Sequence, residues 1–145
     1  MKVYLAAQYP RRDELRGYKA VLEAAGIEVT SRWLDEQEPL NGNMTHREPS
    51  WYSHTAHVDL DDVDRANIVV FFSEDPLVGV PRGGRHVEFG YALGKGKPVH
   101  VIGKYKENVF HYLHPPFHVL HHETVEGFIE SYKEYREYED IYESD

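Results

Sequence analysis

The sequence predicts an α/β fold in which a parallel sheet is covered by helices. Three observations carry this. Ile68-Val69-Val70-Phe71-Phe72 is an uninterrupted apolar run of the kind found in strands buried on both faces. Segments of helical period alternate with short strand-like runs along the chain. Glycine-rich breaks such as Gly94-Lys95-Gly96-Lys97-Pro98 separate the two kinds of segment. Strand–helix–strand repeats demand right-handed crossovers, and these make neighbouring strands parallel.

Taken in order, Lys2 to Ala7 is the first strand. Arg11 to Ala25 carries Leu15, Tyr18, Leu22 and Ala25 at helical spacing, and Gly26 stops it. Ile27 to Trp33 alternates Ile27, Val29 and Ser31 against Glu28, Thr30 and Arg32, a strand pattern. Asp35 to Ser50 is polar and rich in Pro, Gly and Asn, so it reads as a long loop. Trp51 to Ala66 is helical, with Val58, Val63 and Ala66 turned partly inward. Asn67 to Phe72 is the buried strand, and the turn-rich loop Ser73 to Arg82 follows it. Arg85 to Gly94 is the third helix. Gly90 and Gly94 lie one turn apart in it, a spacing that suggests close packing on the sheet. Pro98 to Ile102 is another buried strand, Asn108 to Leu113 a helical turn, and Phe117 to Leu120 a short last strand. Thr124 to about Tyr142 is a charged helix rich in tyrosine. There is no internal repeat and no composition break, so residues 1–145 are read as one domain.

Bulk properties remove several classes of function. The net charge of −9 argues against a nucleic-acid partner, which calls for a basic face. Much of that charge lies in the tail, at Glu134, Glu137, Glu139, Asp140, Glu143 and Asp145. With no cysteine, disulfides and thiolate metal sites are excluded. No apolar run is long enough to cross a bilayer, and Met1-Lys2-Val3-Tyr4-Leu5 opens a strand rather than a signal peptide. A soluble cytoplasmic protein without a membrane partner is expected.

Glu88 is the leading candidate for chemistry. It follows Gly83-Gly84 in the first turn or so of the third helix, above the carboxyl end of the buried strand. Ligands bind at that edge in open α/β sheets. The helix dipole favours a charged carboxylate there, and a positioned carboxylate can serve as a nucleophile. The plainer reading is an exposed glutamate that only complements the dipole. Asp59, Asp61, Asp62 and Asp64 share the helix before the buried strand, and most are expected to be solvated. Asp59 stands far enough from Asn67 to reach the same sheet edge as Glu88, as a nucleophile–acid pair requires. Tyr4 packs in the first strand with its hydroxyl at the rim. In the loop Gln8-Tyr9-Pro10-Arg11-Arg12, either arginine could meet a phosphate, and Gly83-Gly84 could offer backbone N–H groups to an anion. The ten histidines include His54 and His57 at i, i+3 and a crowd from His111 to His122, but none forms a recognised zinc spacing. Tyr132, Tyr135, Tyr138 and Tyr142 form a stripe suited to docking the last helix on the body or on a second subunit.

Three segments together resemble the nucleoside 2-deoxyribosyltransferase family and its relatives, the 2′-deoxynucleoside 5′-monophosphate N-glycosidases. They are Val3-Tyr4-Leu5-Ala6, the run from Asp59 to Asn67, and Glu88-Phe89-Gly90-Tyr91-Ala92, which is similar to the family's Glu-Leu-Gly-x-Ala pattern. The likeness spans nearly the whole chain. It implies a Rossmann/flavodoxin-like three-layer sandwich with a five-stranded parallel sheet, assembled as a homodimer or higher homo-oligomer. It implies a retaining, two-step displacement on a nucleoside or nucleotide with a free base as acceptor; no cofactor or metal is expected. Glu88 then matches the nucleophile, Asp59 the residue that protonates the base, and Tyr4 the tyrosine that holds the nucleophile. Ala6, Gln8, Arg11, Gly83, Gly84 and Arg85 are the further candidates for contacting the substrate. Asn108 and His111 fall where relatives reach into a neighbouring subunit's site. The chain departs from the family in three places. The base-contacting aspartate shortly before the nucleophile is missing, with Asp75 as the substitute in a longer loop around Arg82 and Gly83. The aspartate before the buried strand is Asn67, and no Ser-rich phosphate loop follows the first strand. Transfer, hydrolysis, and a nucleotide-binding sensor without turnover are the three readings this leaves.

Overall fold

A computed structural model describes residues 1–35, 48–77 and 83–143. Five strands, β1 (Lys2–Ala6), β2 (Glu28–Val29), β3 (Ile68–Phe72), β4 (Val99–Ile102) and β5 (Val119–His122), form one sheet in the order β2-β1-β3-β4-β5. Every pairing is parallel. Four helices connect or follow them: α1 (Arg12–Ala24), α2 (Pro49–Arg65), α3 (Gly84–Gly94) and α4 (Val125–Glu143). The expected three-layer α/β architecture with a five-stranded parallel sheet is what the chain adopts. No helix among the described residues is long and apolar enough to cross a membrane.

The core follows from the pattern of side chains. All five residues of β3 are buried, as are Val3 to Ala6 of β1. Strands covered on both faces gain apolar burial on each, roughly 1.5–3 kcal/mol for every large aliphatic or aromatic side chain. α1 adds Leu15 and Leu22, and Tyr18 stacks on Phe72 at 5.5 Å. It ends at Gly26, whose φ of +85° lets the Ile27 N–H return to the Leu22 carbonyl at 3.0 Å. α4 docks through Val125, Phe128 and Ile129, with Tyr132 packed against them. Tyr135 and Tyr138 are exposed, so α4 docks on the body through Val125, Phe128 and Ile129 rather than through the whole run of tyrosines. Tyr142 lies outside the described side chains.

Several boundaries differ from the sequence reading. The second strand is only two residues long. Past it the Ser31 hydroxyl accepts the Leu5 N–H at 2.7 Å, and the chain turns into a 3₁₀ segment, Arg32–Asp35. The last strand begins two residues late, because Val119 pairs with Val99 while the Phe117 N–H bonds back to His114. Gly90 and Gly94 do not mark close packing, since a Cβ at either would meet nothing within 4 Å. Of the two long loops, residues 36–47 and 78–82 lie outside the described residues.

Asp62, expected on the surface, is fully buried. It accepts the Arg32 backbone N–H at 2.8 Å, Arg32 Nε at 2.7 Å and Arg65 Nη2 at 2.6 Å. The carboxylate thereby fixes α2 to the segment after β2. At the same C-terminal end of this helix, Lys97 Nζ donates to the carbonyls of Val63, Asp64 and Ala66 at 2.6–2.8 Å. Those are the acceptors a helix terminus leaves open.

Candidate active site

The order β2-β1-β3 reverses the direction of winding between β1 and β3. A crevice forms at such a switch point, beyond the carboxyl ends of the strands. Here it is a cleft of about 540 Å³. Four elements supply its chemistry: β1 gives Tyr4, the following loop Gln8 and Tyr9, α2 Trp51 and Asp59, and α3 with its preceding Gly83 gives Gly84, Arg85, Val87 and Glu88.

Glu88 opens the second turn of α3 rather than lying in the first. Its Oε2 accepts a short hydrogen bond from the Tyr4 hydroxyl. Tyr4 is itself buried, so the phenol cannot swing away without vacating the core. Burial is the main influence on Glu88 and pushes its carboxyl up to about 8. The Tyr4 hydrogen bond opposes that rise, while the negative charges of Asp59 and Asp62 add to it. The helix dipole suggested a charged carboxylate; loss of solvent outweighs it. Tyr4 is raised well above its ordinary value, first by burial and then by Glu88. An opening toward the cleft remains, since Glu88 as a whole is only partly buried.

Tyr4, Asp59 and Glu88 therefore share one cleft, together with Gln8, Gly83, Gly84 and Arg85. The other residues expected there are elsewhere. Ala6 is buried in β1 behind the lining, where its neighbour Ala7 stands instead. Arg11 is turned away, bound to Glu14 at 2.6 Å and Glu74 at 2.9 Å. Asp75 accepts the Leu77 N–H at 2.9 Å, outside the lining. Asn108 caps the 3₁₀ segment Val109–Tyr112 by accepting the Phe110 N–H at 2.9 Å. His111 is fully buried in its own protomer, packed at 4.9 Å against both Phe71 and Phe89. It therefore presents nothing to a neighbour; Val109 and Phe110 beside it are the exposed residues, at 76% and 60%.

His86, Glu107 and His111 bring potential metal-binding atoms within 4.8 Å of one another. The Glu107 carboxylate already holds Arg85, and His111 Nδ1 already accepts the Glu107 N–H at 3.2 Å. A guanidinium at that carboxylate repels a metal cation, so the trio is better described as an ion-pair and hydrogen-bond cluster. Burial holds both histidines below the usual imidazole range, His111 down at about 4.

The sequence reading did not single out the cleft's aromatic walls. Trp33, Trp51 and Tyr9 line it, with Thr55, Ala56 and Leu60 on the face of α2 that also carries Asp59. The Trp33 indole is fixed by its hydrogen bond to the Leu5 carbonyl at 2.9 Å. The i, i+4 relation of Thr55 to Asp59 and of Trp51 to Thr55 was the available signal, because such positions share one helix face.

No protein-family model matches the chain, and no curated protein matches it in sequence. Solved structures do match in fold. A 2-deoxyribosyltransferase from Bacillus psychrosaccharolyticus is 19% identical, with a TM-score of 0.67 over 89% of this chain and 90% of that one. The Clostridium botulinum CMP N-glycosidase BcmB is 18% identical, with a TM-score of 0.54 over 92% and 98%. A conserved protein from Enterococcus faecalis V583 is 16% identical, with a TM-score of 0.56 over 92% and 98%. At these identities the likeness is one of fold.

Proposed function

We propose that this chain cleaves the N-glycosidic bond of a (2′-deoxy)nucleoside through a covalent intermediate on Glu88 and passes the deoxyribosyl group to an acceptor base. The observation that carries this reading is the Tyr4 hydroxyl bound to Glu88 inside the cleft that also holds Asp59. The base lies against the aromatic walls and the sugar over Glu88. In the reactive form the one proton shared by the two carboxyls sits on Asp59; the ionised Glu88 attacks the anomeric carbon as the C–N bond breaks, and Asp59 delivers that proton to the departing base. Positive charge grows on the sugar at that moment, which favours ionised Glu88 despite its burial. A second base then attacks the glycosyl ester and restores the carboxylate. Water in that role gives hydrolysis, a reading supported by the fold shared with an N-glycosidase. Incubating the protein with each deoxynucleoside, with and without a free base, and separating the products by chromatography tests the proposal. New nucleosides mean transfer, free sugar means hydrolysis, and unchanged substrate in every reaction removes both.

A further inference from the structure

Arg85 is the only cationic side chain among the described residues that line the cleft. It stands three residues before Glu88, near the start of α3, where Gly83 and Gly84 also face the cleft. By position it is the natural partner for an anionic group on a substrate. It is already taken. Both terminal nitrogens of its guanidinium meet the carboxylate of Glu107, from the loop after β4, with Nη2 to Oε2 at 2.9 Å. The two side chains are 4% and 7% exposed, and the guanidinium lies over the Phe71 ring at 4.9 Å. A two-pronged pair of this kind satisfies the geometry that a phosphate would otherwise fill.

From this arrangement we infer that Glu107 sets the substrate class. Its carboxylate occupies Arg85 as an internal anion, so the cleft takes uncharged nucleosides and turns away their 5′-monophosphates. The inference rests on the glycosidase reading of the cleft and sharpens it. A 5′-monophosphate brings a charge of about −2 at neutral pH. Among the described residues it would enter a cleft that holds Asp59 and whose one arginine is neutralised. Arg11 and Arg12 do not compensate: Arg11 is held by Glu14 and Glu74, Arg12 donates to the Tyr9 hydroxyl at 2.8 Å, and neither lines the cleft. Specificity then comes from a repulsive element as much as from attraction.

The test is the ratio of kcat/KM for each deoxynucleoside to that for its 5′-monophosphate, in wild type and in Glu107→Gln. Wild type should favour the nucleoside by roughly 100-fold, and Glu107→Gln should move the ratio at least about tenfold toward the monophosphate, the worth of one charge-assisted contact. A role limited to holding α3 against the loop would lower both substrates alike and leave the ratio still. A folded Glu107→Gln with an unchanged ratio, or a wild type that prefers monophosphates, overturns the inference. If Glu107→Gln does not fold, the wild-type ratio decides alone. Should no substrate be cleaved, the glycosidase reading fails separately. Quenching of the cleft tryptophans by nucleoside but not by monophosphate would then still support the charge selection, and equal quenching would end it.

Discussion

A carboxyl pushed up to about 8 is the most consequential number in the molecule. It means Glu88 is held mainly as the acid at neutral pH, hydrogen-bonded to Tyr4. The sign of its effect on stability follows. The folded value lies above the ordinary 4.5, so the folded protein retains a proton that the unfolded chain loses. Stability from this group is complete below about 4.5 and declines as pH rises to 8. The cost reaches up to ~5 kcal/mol. Glu88→Gln should therefore abolish turnover while removing that decline, and urea unfolding at pH 5 and pH 9 for both proteins measures it. Tyr4→Phe removes the one contact that favours the charged carboxylate. It should lower kcat about tenfold, the value of roughly one hydrogen bond, and move the acidic limb of the pH–rate profile upward, because Glu88 must be ionised to attack. Asp59→Asn should reduce kcat far more than it raises KM, because protonation of the base matters mainly in the transition state. A substrate with a better leaving group should recover part of the loss.

Among the elements, α2 shows why some of the site was legible and some was not. Asp59 and Asp62 belong to one acidic run and look alike in the sequence. Asp59 reaches the cleft, whereas Asp62 is buried beneath Arg32 and Arg65. Arg65, three residues on, is a local partner of Asp62, but Arg32 arrives from a distant turn that no local pattern contains. Asp62→Ala would leave Arg32 and Arg65 their Asp61 partner but take the acceptor from the Arg32 backbone N–H and the anchor from α2, costing about 1–3 kcal/mol by chemical denaturation. The same long-range effect shortened β2, since Ser31 bonds to β1 instead of extending the ladder. The buried strands were legible because their apolar runs are continuous, and the start of α3 because two glycines announce it. At Gly103, φ is +125° and a Cβ would fall 2.3 Å from Ser73 Oγ. Gly103→Ala should thus destabilise the loop that carries Glu107 by about 2–4 kcal/mol.

For the molecule as a whole, the sheet order fixes where a site can be, and the cleft lies at that switch point. The triad of Tyr4, Asp59 and Glu88 was readable from motif order. The aromatic walls were not, because Trp33 follows a strand that ends early and Trp51 borders a long loop. Assembly is a separate matter. Val109, Phe110 and Tyr112 stand exposed on one short segment, and Phe117 and Leu120 of the sheet's β5 side are exposed as well. An apolar surface of this kind suits a subunit contact. Sedimentation should show a dimer or larger homo-oligomer, and Phe110→Asp should shift it toward monomer; a wild type that sediments as an active monomer contradicts this assembly.

The central claim is a covalent bond to Glu88, and trapping tests it most directly. A 2′-fluorinated deoxynucleoside slows breakdown of the glycosyl ester more than a normal substrate does. After brief incubation and proteolysis, mass spectrometry should find the fluorinated sugar on the peptide that contains Glu88, and none in Tyr4- and Asp59-containing peptides. Turnover with no adduct, or an adduct on any other residue, contradicts the account.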